Sequence, residues 1–319
     1  MDRKQEFYQD KSNYTGQLSH IVEDAETSAQ NDLLKQIDDL YGAADALSIQ
    51  NANKHRLILL ALAFAGMLVT FLFLLYDEAE LHGLILACIA MILCLFLISR
   101  IAGRLDCHRK YLEYRVLAES LRVQCFLLCS GVNENIAELL PWTLKQCVPW
   151  IMEILKELPE GTADVQRSAL DIWIRTQKAY HEKALRKTAK KYHIDQRVSL
   201  VVLVITIIAY LGVTVFEVFI YPRVAGAVNA DVIRAALKIL LGTLSAVTLF
   251  TGSYYGKMSL SNEIDDHQRM IALYEQTEQE ILQNGETKEL LLSLARECLN
   301  ENSTWYAYQS KNTSDITLG

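Results

Sequence analysis

Small and hydroxyl side chains recur at spacings of three and four residues in an apolar segment of the last third of the sequence. They are Gly242, Ser245, Thr248, Thr251 and Gly252, called the hydroxyl stripe below. Such a stripe lines a water-filled pore in an oligomer, or it lets two helix backbones pack closely. The two interpretations are compatible if the stripe packs in a closed state and is exposed in an open one.

One acid lies near the end of another apolar segment. Glu217 precedes Tyr221 and Pro222 by about one helical turn, which places it near the membrane interface. Charged groups in membrane segments are costly, so they mark functional sites or belong to ion pairs. We expect Glu217 to form an interfacial ion pair with Arg234 or Lys238 across the following loop.

The sequence contains no recognisable catalytic motif. It has no GxxxxGK[ST] or GxGxxG phosphate loop, no HExxH, no GxSxG and no CxxC pair. His108 and His267 occupy comparable positions just after two apolar segments, as interfacial helix residues or as sensors of pH or of a ligand. We therefore predict a protein that is not an enzyme and that has no catalytic, cofactor-binding or metal site.

Four apolar segments must position these residues, at 57–76, 83–101, 198–221 and 235–255. About 20 apolar residues in a helix cross the hydrocarbon core of a bilayer. Only a helix satisfies its own backbone hydrogen bonds there, so strands are excluded for such runs. The sequence predicts an all-α membrane protein in which four transmembrane helices form two hairpins.

Charge around the segments predicts the orientation. Basic residues precede the first segment and follow the second, whereas the connection at 77–82 carries only acids and one histidine. Basic flanks stay on the cytosolic side, as does the basic run at 186–197 before the third segment. We expect a multi-pass protein with both termini in the cytosol. Its net charge of −7 argues against nucleic acid as a partner.

The polar stretches predict helices outside the bilayer. Apolar residues fall at helical spacing from Leu33 onward and again before the third segment, so two amphipathic helices continue into the membrane. Pro141, Pro149 and Pro159 predict short helices and turns between them. These stretches predict a cytosolic helical bundle, and their apolar stripes favour a homo-oligomer.

The order of elements repeats. After a polar N-terminal segment at 1–40, an amphipathic helix, a hairpin and a further amphipathic helix occur in both 41–158 and 159–319. We interpret these ranges as two modules of the same plan.

Three short segments carry a family resemblance. HRKYLEYRVLAESLRVQCFL, at 108–127, resembles the helix after the hairpin in the SLATT family, and LDIWIRTQKAYHEKA resembles its pre-membrane helix. ARECLNENSTWYAYQSK is similar to the family's C-terminal signature, through Glu301, Asn302 and Trp305. The resemblance covers about 41–319 as two tandem SLATT-like modules.

The resemblance implies a function. SLATT proteins are bacterial two-transmembrane effectors associated with SMODS nucleotidyltransferases and SLOG nucleotide-sensing domains. We therefore expect a membrane effector of an anti-phage system, which oligomerises and forms a pore in the inner membrane or disrupts it. No SLOG, TIR or nucleotidyltransferase domain is recognisable in this chain, so we expect the nucleotide sensor to be a separate partner or a domain lost from a longer parent. The alternatives are a constitutive ion channel or transporter, and a non-conducting membrane scaffold.

Overall fold

The computed structural model describes residues 2–21, 31–79, 81–159, 167–224, 228–258 and 260–311, and these residues form helices and no strand. The helices are α1 (Arg3–Asn13), α2 (Asn31–Glu78), α3 (Leu84–Leu105), α4 (Cys107–Cys129), α5 (Trp142–Cys147), α6 (Pro149–Lys156), α7 (Thr176–Val215), α8 (Tyr221–Val224), α9 (Val228–Met258), α10 (Leu260–Asn284) and α11 (Lys288–Lys311). Two π-helical turns, Leu170–Arg175 and Phe216–Ile220, flank α7. The predicted all-α class is confirmed.

Four helical stretches are long and apolar enough to cross a membrane: Asp32–Glu78, Leu84–Cys129, Leu170–Val224 and Asn229–Gly252. Each contains most or all of one of the four predicted apolar segments. The amphipathic helices before the first and third segments do run into them without a break, as α2 and α7. The predicted loop before the fourth segment is shorter than expected, because α9 already begins at Val228. Asp231 in its first turn favours that start through the helix dipole.

The contacts gather these helices into two compact units, each built from separate stretches of chain. The polar unit comprises Met1–Lys54, Cys107–Lys187 and Asn262–Gly319, and the apolar unit comprises His55–Asp106 and Thr188–Ser261. Helices α2 and α7 contribute residues to both. Each unit therefore draws on both predicted modules, and the module repeat stays a prediction about chain order.

Helix α4 is the centre of the polar unit. Leu117, Leu121 and Leu127 are fully buried, and α4 packs extensively along α11. Burial of a leucine side chain contributes about 1.5–3 kcal/mol. The ring of Phe126 stacks on Trp173 of the first π-helical turn, with centroids 5.5 Å apart, which joins the start of α7 to this core.

Two of the three prolines lie at the starts of short helices, as predicted, and Pro159 follows the end of α6. Pro141 is the residue before α5, and Pro149 is the first residue of α6. Proline fits the first turn of a helix because the missing N–H has no intrahelical acceptor there. Ile151, Ile154 and Leu155 on α6 then enter the core of the polar unit.

Helix α1 lies within the predicted polar segment 1–40 and was not predicted. Asp2 caps it by accepting a hydrogen bond from the Lys4 N–H. Phe7 is completely buried, with ring centroids 5.4 Å from Tyr114 and 5.9 Å from Trp150. Ion pairs surround this contact: Arg3–Glu113, Arg109–Glu6 and Lys110–Asp10, at 2.7–2.9 Å. Helix α1 is thus packed into the core of the polar unit.

The apolar unit exposes large hydrophobic side chains along its helices. Leu57, Phe64, Leu86 and Leu249 are each between 66% and 71% exposed. Monomeric soluble proteins rarely expose contiguous apolar surface of this kind. The surface is compatible with contact to a lipid bilayer.

Candidate functional site

Two members of the hydroxyl stripe lie in a contact between α7 and α9 of the apolar unit. Ser245 Oγ lies 2.9 Å from Tyr210 Oη, and Thr248 Oγ1 lies 3.0 Å from Thr206 Oγ1. The hydroxyls of Ser245, Thr248 and Thr206 also bond the carbonyl four residues earlier. Ser245 can donate to its own helix while it accepts from Tyr210. In the Thr206–Thr248 pair only one hydroxyl can donate to its own helix, because the other uses its single proton across the pair. We call these two interhelical pairs the hydroxyl seam.

The remaining members of the stripe differ in surroundings. A Cβ added to Gly242 would lie 2.5 Å from Leu74 Cδ1, so Gly242 marks a close contact between α9 and α2. Thr251 is half-buried, and Gly252 is exposed with open space around its Cα. Within one chain the stripe therefore packs at Gly242, Ser245 and Thr248 and is free at Gly252.

An ion pair joins α9 to the π-helical turn after α7. Arg234 Nε donates to Glu217 Oε1 at 2.7 Å, and its guanidinium lies over the ring of Tyr221, 4.4 Å from the centroid. Lys238 does not share this pair, because its Nζ bonds Glu78 of α2 at 3.0 Å. π-Helical turns are energetically poorer than α-helix and often occur at functional positions. Glu217, Arg234 and Lys238 are thus each paired within the apolar unit.

A cavity of about 160 Å³ lies inside the polar unit, among α4, α7, α10 and α11. Its ionisable side chains include Arg115, Glu119 and Arg122 on α4, His181 on α7, His267 on α10 and Glu301 on α11. Residues 115, 119 and 122 follow an i, i+4, i+7 spacing, so they share one face of a helix that is otherwise largely buried. Such a polar face on a core helix is a sequence signal that could have predicted a polar cavity beside α4.

Two segments that carried the family resemblance meet at the cavity. Asn302 Nδ2 donates to the Val116 carbonyl at 3.2 Å, and the rings of Trp305 and Tyr111 meet edge to face at 5.8 Å. The Arg115 guanidinium lies over the Trp305 ring, 4.9 Å from its centroid. The motif residues of α11 therefore hold α11 on α4 and form one wall of the cavity.

His267, which the sequence placed at an interface position, pairs with His181 in the cavity wall. Their Nδ1 atoms lie 3.1 Å apart. Burial, and then the neighbouring His267, lower the pKa of His181 to about 4. Burial and the charge of Arg115 lower the pKa of His267. Both rings are therefore neutral at pH 7, and among the described residues no third ligand completes a metal site.

The pKa of Glu301 is shifted in the opposite direction from those of the two histidines. Burial, followed by the nearby carboxylates of Glu119 and Asp266, raises its pKa to about 7. Its carboxyl group therefore exchanges a proton near neutral pH. An acid whose pKa is shifted in this way inside a cavity is a candidate for a functional site.

Comparison with known proteins gives one partial match. Residues 40–132 match a family model described as "Protein of unknown function (DUF4231)". The match ends within the polar unit and includes all three charged cavity residues of α4, but it covers less than half of the chain. No curated protein and no solved structure matches the chain. The SLATT resemblance is neither supported nor contradicted by the match, and it stays a prediction.

Proposed function

We propose that the protein is a membrane effector that oligomerises and either opens a pore in a bacterial inner membrane or disrupts that membrane. A separate nucleotide-sensing or nucleotide-synthesising protein supplies the signal, and the protein itself performs no catalysis. The observation that supports this function best is the hydroxyl seam, two polar contacts between the apolar parts of α7 and α9. Polar side chains inside a membrane segment are rare unless they bind a neighbour or line a water-filled path.

In this proposal the four apolar helices form two hairpins, and the polar unit and both termini lie in the cytosol. The seam hydroxyls pair with each other in the closed state. On assembly the helices rearrange so that Ser245 and Thr248 face water in the open state. Interhelical hydrogen bonds in membranes contribute only about 0.6 kcal/mol each, so their exchange for water has a low cost. Helix α7 connects the seam covalently to the cavity residue His181.

The experiment is release of dye and of ions from liposomes that contain the purified full-length chain, together with its mass in detergent. Tyr210→Phe removes the partner of Ser245 but leaves α9 intact, so it should raise spontaneous release about threefold, which corresponds to one interhelical bond. Thr248→Val also removes a seam contact and should raise spontaneous opening similarly, but it should lower the ion conductance of each open pore because a hydroxyl is lost from the pore lining. Thr243→Val is the matched control, since this α9 hydroxyl bonds its own helix at Ile239.

Each alternative gives a different result in the same assay. Release by a defined oligomer, strengthened by extract from infected bacteria, supports the effector. Steady conductance that no extract changes indicates a constitutive channel or transporter. Liposomes that stay intact with and without extract indicate a non-conducting scaffold and contradict the proposal.

A further inference from the structure

The cavity of the polar unit contains one cation and one acid without ion-pair partners among the described residues. The Arg115 guanidinium lies over the face of the Trp305 ring and forms no ion pair with any described residue. The Glu301 carboxyl group forms neither an ion pair nor a hydrogen bond with the described residues. The other charged side chains that line the cavity have partners: Arg122 pairs with Glu119 at 2.8 Å, Asp266 pairs with Arg269, and Glu263 also has an interaction partner. Arg115 and Glu301 are each partly buried. A charge that is partly removed from water without a partner is costly, so a ligand that matches both groups would be bound favourably.

The uncharged walls add an apolar surface. Trp305, Met270 and Leu299 line the cavity and are each less than 9% exposed. A cavity of about 150 Å³ lined by apolar side chains holds a benzene ring, so a side group of that size fills a volume of about 160 Å³ and leaves the polar end of a larger ligand toward the opening. Tyr180, which is 47% exposed, also lines the cavity and places its opening at the surface of the polar unit.

We propose that this cavity binds a small zwitterion, namely an α-amino acid with an aromatic or large aliphatic side chain. The ligand carboxylate accepts hydrogen bonds from the Arg115 guanidinium, and its ammonium group donates to the Glu301 carboxylate. The side chain lies against Trp305 and Met270. A phosphate or another simple anion fits less well, because it would satisfy Arg115 but would also face the carboxylates of Glu301 and Glu119.

Proton exchange distinguishes the two ligand classes. The charged groups that act on Glu301 are Arg115 and Glu119 of α4 and Asp266 and Arg269 of α10. The ammonium group binds the ionised form of Glu301, so a zwitterion should release protons at pH 7, and its affinity should increase between pH 6 and 8. A simple anion should instead cause proton uptake, since it favours protonated Glu301 and protonated His267.

The test is isothermal titration calorimetry on the full-length chain in detergent, in buffers of different ionisation enthalpy. The probes are L-phenylalanine, 3-phenylpropanoate, which lacks the ammonium group, and 2-phenylethylamine, which lacks the carboxylate. L-Phenylalanine should bind at least about tenfold more tightly than either analogue, because each analogue loses one charge-assisted contact. Equal affinity for all three, binding of 3-phenylpropanoate alone, or no binding would overturn the proposal.

Variants assign each charge. Arg115→Gln should weaken L-phenylalanine binding about tenfold and leave 2-phenylethylamine unaffected. Glu301→Gln should weaken L-phenylalanine binding similarly, leave 3-phenylpropanoate unaffected and abolish proton release. Arg296→Gln and Glu297→Gln, which change exposed charges on α11, are the controls. The ligand series on the unmodified chain decides the proposal even if a cavity variant fails to fold, and it is independent of membrane permeability.

Discussion

The Nδ1 atoms of His181 and His267 lie 3.1 Å apart, so the two imidazole rings share one hydrogen-bonding proton and cannot both be charged without repulsion. His181 lies on α7, and His267 lies on α10, 86 residues later in the sequence. The contact therefore makes the packing of α7 on α10 sensitive to acid.

This pair predicts a loss of stability below neutral pH. The pKa of each histidine is lower in the folded chain than its usual 6.5, and that of His181 is about 4. As the pH falls from about 6.5 to 4, the histidines bind protons more readily in the unfolded chain than in the folded chain, so the free energy of unfolding decreases. His267→Gln should reduce the slope of the unfolding temperature against pH in this interval. The exposed His193→Gln is the control, and equal slopes in all three proteins would contradict the prediction.

Glu301 predicts a pH dependence of the opposite sign. Its pKa is raised from 4.5 to about 7, so its contribution to stability is full below pH 4.5 and is lost as the pH rises through 7. Glu301→Gln mimics the protonated acid. The variant should unfold at a higher temperature than the unmodified chain at pH 8 and at nearly the same temperature at pH 5. A stabilisation that is the same at both pH values would contradict this assignment.

Phe7 predicts how firmly α1 is held. Because Phe7 is fully buried between Tyr114 and Trp150, Phe7→Ala should cost about 3–5 kcal/mol of the docking of α1. The result should be faster hydrogen exchange and faster proteolysis at 3–13. Tyr8→Ala, at a neighbouring residue that is 39% exposed, should change neither. If both variants behave alike, the ion pairs rather than Phe7 hold the helix.

Gly42 predicts a steric limit on α2. A Cβ at this position would lie 2.5 Å from the Ser19 carbonyl oxygen and 3.1 Å from Leu18 Cβ. The first of these neighbours is backbone and does not rotate away, so Gly42→Ala should destabilise the polar unit by about 1–3 kcal/mol. Gly103→Ala is the matched control, because a Cβ there meets nothing within 4 Å. The midpoints of thermal unfolding of the two variants in detergent check the prediction.

The helices were predictable where local pattern decides the structure. Long apolar segments, the absence of breakers before residue 198 and prolines at the first turns of short helices are all local signals. They gave the class, the four candidate spans and the two helices that run on into apolar segments. The loop expected before residue 235 is instead the first turns of α9, because the small and polar residues near 230 give no apolar signal.

The cavity was not predictable in the same way. It requires four helices from three distant stretches of chain, and nothing in a single stretch shows that His181 faces His267. Helix α1 was not predicted for a related reason, since its single fully buried aromatic residue, Phe7, gives no periodic signal. Glu301, Asn302 and Trp305 were singled out only through the family resemblance, and their common wall became visible only through the packing of α11 on α4.

The discontinuous polar unit imposes an order on biosynthesis. Phe7 leaves the ribosome long before Tyr114 and Trp150, and the first two apolar helices are made between them. Trp305 is synthesised only after the other two apolar helices. The nascent N-terminal helix must therefore wait, without its aromatic partners, while the insertion machinery receives the first pair of apolar helices. Chaperone dependence should accordingly be greatest for chains stalled before residue 150.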